Sequence, residues 1–201
     1  MRRVVVVENV TLDGVMQAPG GADEDTRGGF EHGGWALPYS DEVMAREMGK
    51  GMGTTDLLLG RRTYEQFFAF WPKQTDGNPF TDVLNQAQKY VASTTLQEPL
   101  PWQHSTLLSG DVPSDVAKLK QEDGKDLVIL GSGELVRSLV RADLIDEFTL
   151  SIHPLVLGSG RRLFSADATA RLELTDAVPT TTGVVIATYR QAANGAPGAP
   201  D

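Results

Sequence analysis

The sequence predicts an α/β fold: a doubly wound, three-layer αβα domain around a mixed sheet, mostly parallel and closed by antiparallel C-terminal strands. Three observations carry this. Apolar segments of strand length alternate with segments of helical period, the pattern of a sheet covered by helices. The strand candidates include near-continuous apolar runs, VVVV at 4–7, LLL at 57–59 and LVIL at 127–130, as a sheet buried on both faces requires. The segments RLELTDAV (171–178) and TGVVIATYR (182–190) pair naturally as two final antiparallel strands.

In chain order, residues 2–10 read as the first buried strand, its apolar start interrupted at Glu8. Residues 12–38 hold seven glycines and no periodicity; a loop of that length in a compact domain is functional or mobile. Ser40 is an N-cap candidate followed by the acids Asp41 and Glu42, opening a helix that the glycines at 49, 51 and 53 end. A strand at 56–60 leads into a helix at 62–70. Asn78 and Pro79 form a cap and first-turn proline for the next helix. Strands follow at 89–94 and 105–110, a helix from Pro113, a strand at 126–131 and a helix at 134–142. EFTLSIHPLVLG (147–158) reads as one long strand.

The length of 201 residues suits one domain, taken as 1–190, with a compositionally disordered tail at 191–201. A net charge of −9 argues against nucleic acid or an anionic membrane as partner. There is no cysteine, which excludes disulfides, thiolate catalysis and cysteine-held metals. No signal-peptide core or membrane span is visible, so the expected location is cytoplasmic. An anionic ligand must therefore meet local positive features: Arg61-Arg62, Arg161-Arg162, or backbone amides at glycine-rich helix starts. Arg2-Arg3 is expected to be a solvated terminal pair.

Strand, glycine, helix occurs twice, in DLLLG-RRTYE and DLVILG-SGELV. A helix start presents free N–H groups and a partial positive charge, glycine lets a ligand approach the backbone, and arginine grips phosphate with two parallel bonds. Each join is also an ordinary packing device. Neither the G-x-G-x-x-G spacing nor a G-x-x-x-x-G-K-[ST] loop is present.

The segments VTLDGVMQ (10–17), LLLGRRTYE (57–65), VILGSGELVRSLV (128–140) and LIDEFTLSIHPLVLGSGRRLF (144–164), in that order, resemble the dihydrofolate reductase-like superfamily. They are most similar to the reductase (C-terminal) domain of the bifunctional riboflavin-biosynthesis deaminase–reductase. The resemblance implies NADPH as cofactor. It places Gly60, Arg61, Arg62 and Thr63 at the adenosine-side phosphates, Ser93 and Thr94 near the ribose, and Gly131, Ser132, Gly133, Glu134 and Leu135 around the pyrophosphate. As catalytic candidates it offers Asp13, in the turn leaving the first strand, and Asp41, beside the segment W-A-L-P-Y-S-D. For substrate it offers Trp35, His153, Gly158 and Arg161. Asp13 also reads as a turn former and Asp41 as a helix acid.

Three functions stay open: reduction of a ribosyl-phosphate-bearing heterocycle, reduction of a pterin or dihydrofolate, and a non-catalytic nucleotide-binding module. No deaminase signature accompanies the chain. The long loop is expected to act as a lid. A homodimer is expected, with the strand at 147–158 pairing between subunits.

Overall fold

The computed structural model describes residues 1–51, 53–75, 77–166 and 169–192. Among them the elements run β1 (Val4–Thr11), α1 (Glu42–Gly49), β2 (Thr55–Gly60), α2 (Arg61–Phe70), α3 (Pro79–Gln86), β3 (Lys89–Ala92), β4 (Ser105–Leu108), α4 (Val112–Gln121), β5 (Asp126–Leu130), α5 (Gly133–Arg141), β6 (Glu147–His153), β7 (Leu172–Pro179) and β8 (Val185–Gln191). From residue 193 on, the expected tail lies outside the described residues.

The strands form one eight-stranded sheet in the order β4-β3-β2-β5-β1-β6-β8-β7. Every pair from β4 to β6 is parallel, and β6–β8 and β8–β7 are antiparallel. One face packs Val4, Val6, Leu127 and Ile129 against Val116 and Leu119 of α4 and Leu135, Val136 and Leu139 of α5. The opposite face packs Leu57, Leu59 and Val91 against Tyr64 of α2 and Leu84 of α3. This is the three-layer arrangement expected from the uninterrupted apolar strands.

Four local expectations change. The strand expected over 147–158 ends at His153, because Pro154 has no N–H to continue the ladder. It lies between β1 and β8, so its edges are already used, and the strands left at the sheet's two edges are β4 and β7. The cap of α1 is Asp41 rather than Ser40: its carboxylate accepts from the Met44 amide at 2.7 Å. Arg2 is not solvated. Its side chain is 2% exposed and donates to Asp56 at 2.5 Å, the Tyr90 hydroxyl at 3.1 Å and the Lys125 carbonyl at 2.6 Å.

The long loop, expected as a lid, has a core of its own: Val15, Ala18, Phe30 and Trp35 are buried together. Gln17 Nε2 donates to the carbonyls of Asp25 and Arg27, and Trp35 Nε1 donates to that of Gln17. These bonds satisfy backbone groups that an irregular segment otherwise leaves to water.

Candidate functional site

β1 pairs with β5 only over Val4 to Val7, yet with β6 as far as Thr11. Beyond Val7 the β5-side edge of β1 is therefore open, and a cavity of about 1090 Å³ occupies the gap at the carboxyl ends of β1, β2, β3 and β5. Open α/β sheets place their ligands at such a crevice. The glycine-rich loop supplies its outer wall through Gln17, Ala18, Glu24 and Arg27.

All eleven residues assigned to the cofactor side line this one cavity: Gly60, Arg61, Arg62, Thr63, Ser93, Thr94, Gly131, Ser132, Gly133, Glu134 and Leu135. The two strand–glycine–helix joins are physically linked. Ser132 Oγ accepts from the Gly60 amide at 2.8 Å and donates to Thr63 Oγ1 at 2.8 Å. Spent on that link, Ser132 does not cap α5, and Gly60 has no side chain to cap α2. Both helices thus turn uncapped amino ends toward the cavity, where anions are favoured. The cradle needs its glycines: Gly131 has φ +71°, and a Cβ there would lie 3.2 Å from Thr63 Oγ1. Ser93 Oγ accepts from the Thr95 and Leu96 amides, closing a turn at the end of β3.

Most of the arginines here are already engaged. Arg61 pairs with Glu65 at 3.0 Å, Arg137 with Glu134 at 2.6 Å, Arg161 with Glu134 at 3.1 Å, and Arg27 with Asp25. Arg62 makes no ion pair among the described residues and stands exposed on the rim.

The two carboxylates offered as catalytic do not line the cavity. Asp13 accepts from the Thr11 hydroxyl at 2.6 Å and from the Leu157 and Gly158 amides at 3.2 and 2.9 Å. Those bonds, the Thr11 hydroxyl foremost, hold its carboxyl down at about 2, and they fasten the exit of β1 to the turn after β6. Asp41, besides capping α1, accepts from the Thr181 amide and hydroxyl at 2.7 and 2.6 Å, tying the helix to the β7–β8 turn; these bonds lower its pKa, with the Thr181 hydroxyl the largest cause.

Of the four substrate candidates, Arg161 lines the cavity, while Trp35, His153 and Gly158 do not. His153 is fully buried behind Asn9, with Nε2 3.0 Å from Asn9 Oδ1, edge-on to Trp35 and Tyr39. Burial pushes its imidazole down to about 4. As the folded value lies below the unfolded one of about 6.5, the unfolded chain takes up the proton first as pH falls. The free energy of unfolding is therefore expected to drop between about pH 6.5 and 4, and a His153→Gln variant should lose that slope. An unaltered pH–stability curve in the variant contradicts this.

Sequence reasoning missed three polar cavity residues on the central strands: Glu8, Asn9 and Ser151. Glu8 carried a readable signal, a carboxyl in the middle of a strand predicted to be buried on both faces. It is 5% exposed, its Oε1 has no hydrogen-bond partner, and burial pushes its carboxyl well above the ordinary range.

These features define a doubly wound α/β protein with a large crevice at its strand ends, walled by the starts of two helices. Residues 2–186 match the family model of the RibD C-terminal domain, and the chain belongs to that family. Among curated proteins it is similar to Bacillus subtilis (strain 168) YyaP, 29% identical over 183 residues and covering 86% of this chain and 85% of the relative, and to YwjB, 29% identical over 166 residues with 81% and 83% covered. Both are named as uncharacterized proteins. Two solved structures share the fold. A putative riboflavin biosynthesis protein from Shewanella sp. PV-4 superposes with TM-score 0.66 at 20% identity, covering 94% of this chain and 99% of that one. A pyrimidine reductase-like protein from Corynebacterium diphtheriae gives 0.62 at 14%, covering 96% and 93%. No helix among the described residues is long and apolar enough to cross a membrane.

Proposed function

We propose that this protein is an NADPH-dependent reductase that transfers hydride to a ribosyl-phosphate-bearing heterocycle of the kind reduced in riboflavin biosynthesis. The observation that carries the reading is the convergence of two uncapped helix starts, a positive-φ glycine and the cavity arginines on one crevice large enough for a dinucleotide. Such a site fits the pyrophosphate by backbone amides at Gly60 to Thr63 and Gly131 to Leu135, with Arg62 free for the additional phosphate of NADPH. The cofactor, when bound, supplies the hydride. The chain's own residues orient the two reactants, keep water from them and hold a proton for the product.

Between the two reductase readings, the side chains favour the phosphoribosyl substrate. Arg161 stands in the cavity wall, whereas Asp41, the acid a folate-type reaction would call on, is committed to the α1 cap and Thr181. The non-catalytic reading is disfavoured by Glu8, a buried carboxyl with an unpartnered oxygen in the same wall. We further propose a cytoplasmic homodimer.

The test is loss of dihydronicotinamide absorbance when the protein is given NADPH and 5-amino-6-(5-phosphoribosylamino)uracil, with dihydrofolate as comparison. Turnover of the uracil is expected. Turnover of dihydrofolate alone, or of neither, overturns the assignment.

A further inference from the structure

Glu8 sits where a carboxyl is hard to account for by packing. Its neighbours two positions away on the same face of β1, Val6 and Val10, are core residues, and a leucine would fill the same place without desolvating a polar group. Its strand partner on β6 is Leu150, which carries no charge. On the β5 side, the amide of Gly131 favours the charged form but is outweighed by burial. The charge that bears on it is Glu24 of the glycine-rich loop, itself a carboxyl, which makes ionisation harder still. On α5, Glu134 and Arg137 are engaged with each other. Among the described residues no cation is placed to hold Glu8 as a carboxylate, and Oε1 has no hydrogen-bond partner.

As a neutral acid, Glu8 would have one O–H to donate, and the residue borders the crevice at the point where β1 parts from β5. A charged carboxylate here would repel a phosphorylated dinucleotide seated on Gly131 and Gly133, whereas a neutral acid does not. Asn9 and Ser151, paired across β1 and β6, line the same cavity from the opposite face of the sheet.

We propose that Glu8 is the proton donor of this site: its carboxyl stands in the crevice wall, 5% exposed, and gives its proton to a substrate seated against that wall. The role rests on the reductase reading. Hydride passes from the dihydronicotinamide to the carbon of a C=N or C=O bond, the π pair moves to the heteroatom, and that atom takes the Glu8 proton. The cofactor leaves oxidised, and the Glu8 carboxylate regains its proton from water once the product has gone. Positioned proton donors of this kind contribute about 10²- to 10⁴-fold in rate.

The experiment compares wild type with Glu8→Gln and Glu8→Leu in NADPH binding, thermal unfolding and NADPH oxidation with 5-amino-6-(5-phosphoribosylamino)uracil. Infrared spectroscopy of the wild type in neutral buffer reads the carboxyl directly. The expected result is a carboxylic-acid stretch that disappears in Glu8→Gln, turnover lower by about 10²-fold or more in both variants, NADPH affinity retained, and a melting temperature that does not fall in Glu8→Leu. Turnover of Glu8→Gln at the wild-type rate overturns the proton-donor role while leaving the reductase reading intact, and so does an ionised Glu8 in the spectrum. A wild type that binds NADPH but reduces nothing brings down the reductase reading, and the donor role with it.

Discussion

Replacing Arg61 and Arg62 together with alanine is expected to weaken NADPH binding by roughly ten- to a hundred-fold and to leave NADH nearly unchanged. The two cofactors differ by one phosphate, so the difference isolates whatever side chain reads it. A hydrogen bond to a charged group is worth about 1.5–3 kcal/mol, and about 1.4 kcal/mol is a tenfold change in affinity. The contributions of the two arginines should be unequal. Arg61 is shared with Glu65 at 3.0 Å, while Arg62 makes no ion pair among the described residues. The single Arg62→Ala change should therefore account for most of the loss. Equal weakening of NADPH and NADH would show that the pair serves the common pyrophosphate, and no weakening would place it outside the site.

The second large effect concerns folding. Arg2→Ala is expected to destabilise the protein by about 3–5 kcal/mol, the cost of leaving a buried charge without its partner. The Arg2 guanidinium satisfies Asp56, the Tyr90 hydroxyl and the Lys125 carbonyl at once, and it lies 5.1 Å from the centre of the Tyr90 ring. It thereby links residues of β2, β3 and the α4–β5 connection at the foot of the sheet. Removing both charges in Arg2→Met/Asp56→Leu should recover most of the loss, because the penalty lies in the orphaned carboxylate and not in the missing attraction. Urea unfolding midpoints measure both. A loss under 1 kcal/mol in Arg2→Ala would mean that the ion pair is solvated and weak.

What could be read from the sequence follows from how local each signal is. The sheet was legible because VVVV, LLL and LVIL are uninterrupted apolar runs of strand length with no polar alternation to misread, although in LVIL only Leu127 and Ile129 are fully buried. The cofactor side was legible because a strand running through glycine into a helix has its geometry fixed within a few residues. The bond from Ser132 that joins Gly60 to Thr63 spans about 70 positions, and nothing local announces it. Distance along the chain also explains the misreadings. Asp13 and Asp41 look like catalytic acids until their partners appear at Leu157, Gly158 and Thr181, some 140 residues on. Arg2 looked solvated because its acceptors come from three other parts of the chain. Glu8 was different: its anomaly was visible in four valines followed by a carboxyl, but only the early end of β5 shows that the crevice opens beside it.

The claim on which the rest depends is that the crevice between the two glycine joins holds a phosphorylated dinucleotide. Calorimetric titration of the wild-type protein with NADPH tests it most directly. The account predicts saturable binding at one cofactor per chain, weakened in Arg62→Ala. An absence of saturable binding, or binding that Arg62→Ala leaves as tight as before, would contradict it.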